Sequence, residues 1–430
     1  MKYIAIHNGH NSSITAFQNK EIILHFELER HLNIKNFIGI NNNKIGECID
    51  IVLNKLNWNH EEIEVVIFCG LVPWGGEWGQ TEFKEITKNK KYEKNIKNPY
   101  LTWEDTWRKR KRKFIGITHH VNHMAYSYYT SPFKNALLFS IDGCGDFSIN
   151  TTYGIGKKNK LIYSGNTKWE NKDNIKYNNI GIAYGFLGHL FPFLGKDQLA
   201  TAGKAMGLSA YGKIIENWRP MVQKILFPLK DEAQSDGSME IKNKFHKLKS
   251  ILNIDFNDCM SKDVHNLMAT IQDEVEIYMS ESIKKLTDIY NQKNVCLSGG
   301  CALNCKANSR IVEENDINLY IPPACSDTGL SIGAGLYYWY NICNNVFEEE
   351  EEHSAYLGSE LINKEYKNQN ITYKEIIDED KFLEEVANKI IKRKIIAWVQ
   401  NREEIGPRAL GNRSILCLPF PASMKDLINE

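Results

Sequence analysis

Three histidines stand in the run His119-His120-Val121-Asn122-His123, directly ahead of the stretch Met124-Ala125-Tyr126-Ser127-Tyr128-Tyr129, which reads as a helix. Side chains four apart on a helix share a face, so the rings of His119 and His123 can converge on one cation. The same spacing also occurs in histidines that are merely buried and hydrogen-bonded. A metal centre needs further donors. Asp142, in a Gly-rich turn, and Asp327, ahead of a Gly-containing helix, are the candidates. Two imidazoles with two carboxylates suit Fe(II), Zn(II) or Mn(II).

A second set of residues suits phosphate. Ser298-Gly299-Gly300-Cys301-Ala302-Leu303-Asn304 lies between a strand pattern and a helix pattern. Glycines there let the backbone approach a ligand, and a helix N-terminus favours an anion. Many strand-to-helix turns carry two glycines for packing alone. The segment Gly203-Lys204-Ala205-Met206-Gly207 to Gly212 offers Lys204 to a phosphate and is equally readable as a plain loop. Arg408 and Arg413 flank Gly411 in a loop where paired guanidinium groups could hold phosphate or carboxylate, or simply face solvent. His10, in a turn, and Lys35, after Glu27-Leu28-Glu29-Arg30, could polarise a carbonyl or hold a phosphate if a cleft brought them together, but on spacing alone two exposed polar residues is the favoured reading. The basic run Arg108–Lys113 reads as a solvated face, with an RNA or acidic-ligand contact as the sharper alternative.

These side chains need elements to hold them. Tyr3 to Phe17 and Leu137 to Tyr153 share one shape, an alternating run, a turn of Gly, Asn, Asp and Ser, and a second alternating run. Both read as β-hairpins. Each precedes a further strand, Glu21–Glu27 and Lys160–Ser164. The repeat suggests a duplicated two-lobed α/β fold, although two unrelated hairpins would look the same. Hairpin turns of this kind, including Gly143 and Gly145, can aim backbone N–H groups at phosphate. Periodicity predicts helices over Asn266–Tyr290, Ala302–Glu314, Asp327–Tyr340 and Lys381–Lys392, and strands over Asn294–Leu297 and Ile395–Val399. The acidic run Glu348–Glu352 reads as a solvated linker. Expected domains are 1–175 and 176–345 for the two lobes, and 355–430 for part of a further domain.

Composition excludes several classes. The chain has 430 residues, 42% hydrophobic and 25% charged, ordinary for a folded globular protein. Lys plus Arg and Asp plus Glu both count 53, so no overall basic field exists to grip nucleic acid, and no nucleic-acid partner is expected. His7 interrupts the N-terminus before a secretory h-region can form. No apolar stretch approaches the roughly 20 residues that span a bilayer. Ten scattered cysteines fit a reducing compartment, and the expected location is cytoplasmic.

Taken jointly, GHNSSITAF, HHVNHMAYSYY, IDGCGD, GKAMGLSAYG, LSGGCALNCKAN, SDTGLSIGAG and IGPRALGNRSIL are specific. In this order the sequence resembles the O-carbamoyltransferase family, which includes nodulation-factor and antibiotic-tailoring enzymes. The resemblance implies an actin/hexokinase-like (ASKHA) duplicated fold, shared with the tRNA threonylcarbamoyladenosine enzymes. It implies a metal, usually iron, at His119, His123, Asp142 and Asp327. It places a nucleotide against Gly299, Gly300 and Asn304 and the Asp142–Gly145 turn, and catalysis with His10 and Lys35. The implied reaction carries a carbamoyl group from carbamoyl phosphate, through a carbamoyl-adenylate made with ATP and Mg, to a hydroxyl of a small molecule or sugar. Relatives continue past the GPRALGNRS motif into a YrdC-like domain, whereas this chain ends soon after Arg413. The expectation is therefore a truncated start of that domain, and as partner either a second copy in a homodimer or the missing C-terminal domain supplied in trans. A second departure is His10-Asn11, where relatives usually have His-Asp. The rival readings are a tRNA threonylcarbamoyl transferase-like enzyme and a non-catalytic nucleotide-binding protein of the same fold.

Overall fold

The computed structural model describes residues 1–39, 44–70, 99–158, 160–168, 170–228, 238–347, 354–360 and 375–429. The expected acidic linker Glu348–Glu352 lies outside the described residues. The chain divides into a large unit, Met1–His353, and a smaller one, Ser354–Glu430.

Both expected hairpins form, and each seeds a sheet. Strands β1 (Lys2–His7), β2 (Ser13–Gln18) and β3 (Glu21–Glu27) make an antiparallel meander. After helices α1 (Leu28–Leu32) and α2 (Lys44–Lys55), β4 (Ile63–Cys69) runs parallel to β1. The hairpin of β5 (Tyr100–Trp107) and β6 (Arg110–Ile117) adds β6 parallel to β4. Helix α3 (His119–Tyr129) follows. The second meander is β7 (Ala136–Ile141), β8 (Thr151–Lys157) and β9 (Lys160–Asn166). Helices α4 (Gln198–Leu208) and α5 (Lys262–Tyr290) lead to β10 (Asn294–Ser298), α6 (Cys305–Glu314) and β11 (Asn318–Tyr320). Strand β10 runs parallel to both β7 and β11. The sheets read β3-β2-β1-β4-β6-β5 and β9-β8-β7-β10-β11, so one strand order occurs twice in an α/β fold. The second sheet takes strands from both sides of the 175/176 boundary.

Each sheet has its own apolar core. Ile4, Ile14, Phe26, Ile49 and Val66 belong to the first. Leu137, Phe139, Tyr153, Leu267 and Val295 belong to the second. Helix α2 shows the usual cause: Ile45, Ile49, Val52 and Leu53 fall on one helical face and are buried.

Helix α3 is buried along its whole length. It packs on the second sheet and on α7 (Leu330–Tyr337), which in turn lies on β1, β2 and β4. The helices approach closely because α7 is built from small residues. A Cβ on Gly333 would stand 1.9 Å from the Asn122 carbonyl oxygen. The start of α3 and the turn that opens α7 therefore meet.

One local expectation changes. The Gly203–Gly212 segment is helix α4 with a short 3-10 turn, not a phosphate-type loop, because Asp197 caps it by accepting from Leu199 and Ala200 N–H. The basic run Arg108–Lys113 forms the β5–β6 turn and the start of β6. Arg112 is buried and donates to the carbonyls of His60, Ile63 and Trp107, while Arg108 pairs with Asp50 and Lys111 with Glu104. Arg112 thus serves the fold, while Lys109, Arg110, Lys111 and Lys113 are exposed, as a solvated face would be.

The smaller unit holds α8 (Glu379–Ile391) and an antiparallel pair, β12 (Ile396–Val399) and β13 (Arg413–Leu416). All ten cysteines are free. No helix among the described residues is long and apolar enough to cross a membrane.

Candidate active site

His119 opens α3 and His123 lies one turn on, with Nε2 atoms 3.2 Å apart. Asp142 reaches them from the end of β7, its Oδ2 3.0 Å from His119 Nε2 and 3.3 Å from His123 Nε2. Asp327 reaches them from the turn before α7, its Oδ1 3.6 and 3.3 Å from the same two atoms. One donor atom from each residue lies within 4.8 Å of the others. Asp327 Oδ1 is buried without a hydrogen bond. Two buried carboxylates and two imidazoles facing one point, one oxygen of them unsatisfied, fit a divalent cation.

The electrostatics agree. Burial alone would depress His123, but the carboxylates of Asp142 and Asp327, each with an oxygen 3.3 Å from its Nε2, outweigh it and raise the imidazole to about 9. Burial likewise opposes the Asp142 charge, and hydrogen bonds from His119 and His123 still hold that carboxyl well below its usual range. In the metal-free protein a proton on His123 thus supplies charge that a cation would supply. The stability this gives is fully present below the ordinary histidine value of 6.5 and is lost as pH rises through about 9. Metal-free protein should therefore melt at a lower temperature at alkaline pH than near pH 6.5. Cation affinity should strengthen over the same window, because uptake expels that proton. Thermal melts across this range check both. An unchanged melting temperature would remove the assigned charge.

His10 joins the cluster. Its Nε2 is 3.2 Å from Asp327 Oδ2, and that carboxylate raises its pKa. Its Nδ1 is 3.0 Å from Asn11 Oδ1. The Asn11 amide N–H groups donate to Glu29 and Asn36, which turns the amide oxygen toward His10, so His10 Nδ1–H is the donor. His7 was not expected. It is buried, with Nε2 2.9 Å from the His10 carbonyl and 3.7 Å from Asp327 Oδ2, and burial pushes it down to about 4. A polar residue closing an otherwise apolar strand was its signal. Asp146, also unexpected, accepts from His119 N–H at 2.7 Å.

The glycines gather beside Asp142. Gly300 N–H donates to Asp142 Oδ1 at 3.0 Å. Gly299 has φ +93°, and a Cβ there would stand 2.2 Å from the Ile141 carbonyl oxygen. Gly143 and Gly145 belong to the turn that presents Asp142, closed by Asn150 Nδ2 to Gly143 O and Gly145 N–H to Ile149 O.

Other expected site residues are engaged elsewhere. Lys35 is exposed in the turn after α1, and the ion pairs of the cluster do not include it. Lys204 donates to the Leu194 carbonyl. Asn304 caps α6 through Ala307 N–H and exchanges amide hydrogen bonds with Gln272. In the smaller unit Arg413 donates to the carbonyls of Gln400, Asn401 and Asn412, and Arg408 is exposed.

Residues 2–336 match the family model described as carbamoyltransferase N-terminus, and residues 387–430 match the one described as carbamoyltransferase C-terminus. The chain belongs to the carbamoyltransferase family. By family it is a transferase. It is 30% identical over 434 residues to an uncharacterised protein of Methanocaldococcus jannaschii, covering 99% of this chain and 75% of that one. It is 27% identical to the 3'-hydroxymethylcephem-O-carbamoyltransferase of Amycolatopsis lactamdurans, covering 58% of this chain and 46% of that one. Against two further relatives this carbamoyltransferase-family chain spans 52% and 54% of their length. Among solved structures, HypF of T. kodakarensis aligns at 9% identity with a TM-score of 0.42, over 80% of this chain and 48% of that one.

Proposed function

We propose that the protein is an O-carbamoyltransferase that moves a carbamoyl group from carbamoyl-adenylate to a hydroxyl of a small molecule or sugar. The observation that carries the reading is the convergence of His119, His123, Asp142 and Asp327 on one buried point, with His10 against the other oxygen of Asp327, in a chain of this family. A likeness to a named cephem O-carbamoyltransferase supports the hydroxyl acceptor. The reading extends to an actin/hexokinase-like fold, supported by the repeated strand order. It also takes carbamoyl phosphate and ATP with Mg as the source of the adenylate, and a YrdC-like kinship for the smaller unit.

In transfer, the acceptor oxygen bonds to the carbamoyl carbon, the bond from that carbon to the phosphate oxygen breaks, and AMP leaves with the electron pair. The acceptor proton passes to the medium. His119, His123, Asp142 and Asp327 would hold Fe(II), Zn(II) or Mn(II), which when bound supplies Lewis acidity toward a carbonyl or phosphate oxygen. His10, whose pKa Asp327 raises and which Asn11 orients, stands beside the cluster on Asp327 Oδ2 and would stabilise negative charge developing on oxygen. The Gly299-Gly300 turn permits close backbone approach by the nucleotide phosphate. The internal pairing of Arg108, Lys111 and Arg112 weakens the tRNA alternative.

The test is AMP release and carbamate-ester formation from carbamoyl-adenylate with a panel of polyol and sugar acceptors. Product with at least one acceptor is expected; AMP release no faster than in buffer overturns the reading. His10→Ala should slow release by about 100-fold or more. Lys35→Ala, lying outside the cluster, should change it much less. Equal losses for both would mean that the Lys35 turn folds inward when substrate binds, and equal activity for all three would end the role of His10.

A further inference from the structure

His120 lies between two candidate ligands, yet its ring turns away from them. Its Nδ1 is 2.8 Å from the Ser140 hydroxyl and its Nε2 is 2.7 Å from the Ile149 carbonyl oxygen. A carbonyl only accepts, so Nε2 carries the proton, and Nδ1 is left to accept from the Ser140 hydroxyl. Both nitrogens of this buried ring are therefore satisfied by one hairpin, and by the two sides of its turn. Ser140 stands two residues ahead of Asp142, and Ile149 stands two residues ahead of β8. The imidazole fills the mouth of the turn that presents Asp142.

The turn is folded directly over the ring. A Cβ on Gly145 would stand 2.8 Å from His120 Cδ2, so any side chain there would collide with the ring. The backbone closes around it, with Asp142 N–H donating to Asn150 O and Gly145 N–H to Ile149 O, both at 2.8 Å. Asp146 in the same turn receives the His119 N–H at 2.7 Å. One helix, α3, thus carries two ligand imidazoles and the plug that locates the carboxylate opposite them.

We infer that His120 is a positioning residue: a neutral, Nε2-protonated imidazole that locks the 142–149 turn to the start of α3 and so fixes the reach of Asp142 toward His119 and His123. This rests on the reading of His119, His123, Asp142 and Asp327 as a cation site. The role predicts which replacement works. Glutamine can place an amide N–H near the Nε2 position and keep the bond to Ile149, whereas alanine leaves the Ile149 carbonyl and the Ser140 hydroxyl without partners.

The experiment titrates metal-free full-length protein with Co(II), reading affinity and the visible ligand-field bands, for wild type, His120→Ala, His120→Gln and Ser140→Ala. Melting of each metal-free variant confirms folding. His120→Ala should weaken Co(II) binding by about 10–100-fold and change the bands, with Ser140→Ala intermediate and His120→Gln recovering most of the affinity. A folded His120→Ala with wild-type affinity and bands overturns the inference. If that variant does not fold, an unchanged Ser140→Ala overturns it instead. Should wild type take up no Co(II), the cation reading fails by itself. Hydrogen exchange over residues 142–150 then decides: faster exchange there in Ser140→Ala, with β1 to β3 unaffected, supports the lock, and unchanged exchange refutes it.

Discussion

Asp327→Asn is expected to weaken cation binding about 100-fold or more, a larger effect than changing a residue that only supports a ligand. The substitution nearly preserves shape, so the loss comes from charge. Asp327 is buried, faces His119 and His123 with one oxygen and His10 with the other, and its Oδ1 has no hydrogen bond. An amide removes the anion from these imidazoles, and from His7, and presents N–H hydrogens where a cation needs lone pairs. Elemental analysis of anaerobically prepared protein should find about one transition metal per wild-type chain, and much less in Asp327→Asn or His119→Ala. Added Fe(II) or Zn(II) should raise the wild-type melting temperature, since a ligand at 100 times its Kd contributes about 2.7 kcal/mol. Wild type that carries no metal, and that does not respond to added Fe(II), Zn(II) or Mn(II), would show that the four side chains only satisfy one another.

The second large effect is expected at the two glycines. Gly299 occupies the left-handed region at φ +93°, and a Cβ would press on backbone of β7, which cannot yield as a flexible side chain would. Gly299→Ala should destabilise the protein by about 1–3 kcal/mol from the backbone conformation alone, with the clash in addition. Gly300 differs. Its φ is not positive, and its nearest neighbour is Asp142 Oδ1, 2.7 Å from an added Cβ. Gly300→Ala should therefore leave the fold nearly intact while displacing the carboxylate, lowering cation affinity and ATP or AMP affinity together. Denaturant unfolding separates the first effect, and calorimetry with metal and nucleotide reads the second. Should Gly300→Ala bind both as wild type does, the turn would have no part in either site.

The sequence motifs and the geometry divide along clear physical lines. His119 and His123 were legible as a pair because helical spacing fixes their relative direction whatever the rest of the chain does. The two hairpins, and the helix over Asn266–Tyr290, were legible for the same reason, since period and turn chemistry are local. The Gly203–Gly212 segment was misread because glycines suggest a loop, while burial of Thr201 and Ala205 and an Asp197 cap favour a helix. The basic run reads as a solvated face and is mostly that, with Lys109, Arg110, Lys111 and Lys113 exposed; composition does not show that Arg112 turns inward to four carbonyls.

Sequence alone determined which residue types could act, from spacing within single elements, and the ordered motifs determined the family. Tertiary structure alone decided which of them meet. Asp142 and Asp327 are 185 residues apart (327 − 142) and come together only because small residues in α7 let it lie against α3 between the two sheets. The same packing drew His7 and His10 to Asp327 and left Lys35 exposed, since neither burial nor the far side of a turn is encoded within a few residues of chain. Ligand convergence is a property of packing between distant segments, where close approach and buried charge, rather than local propensity, set the outcome.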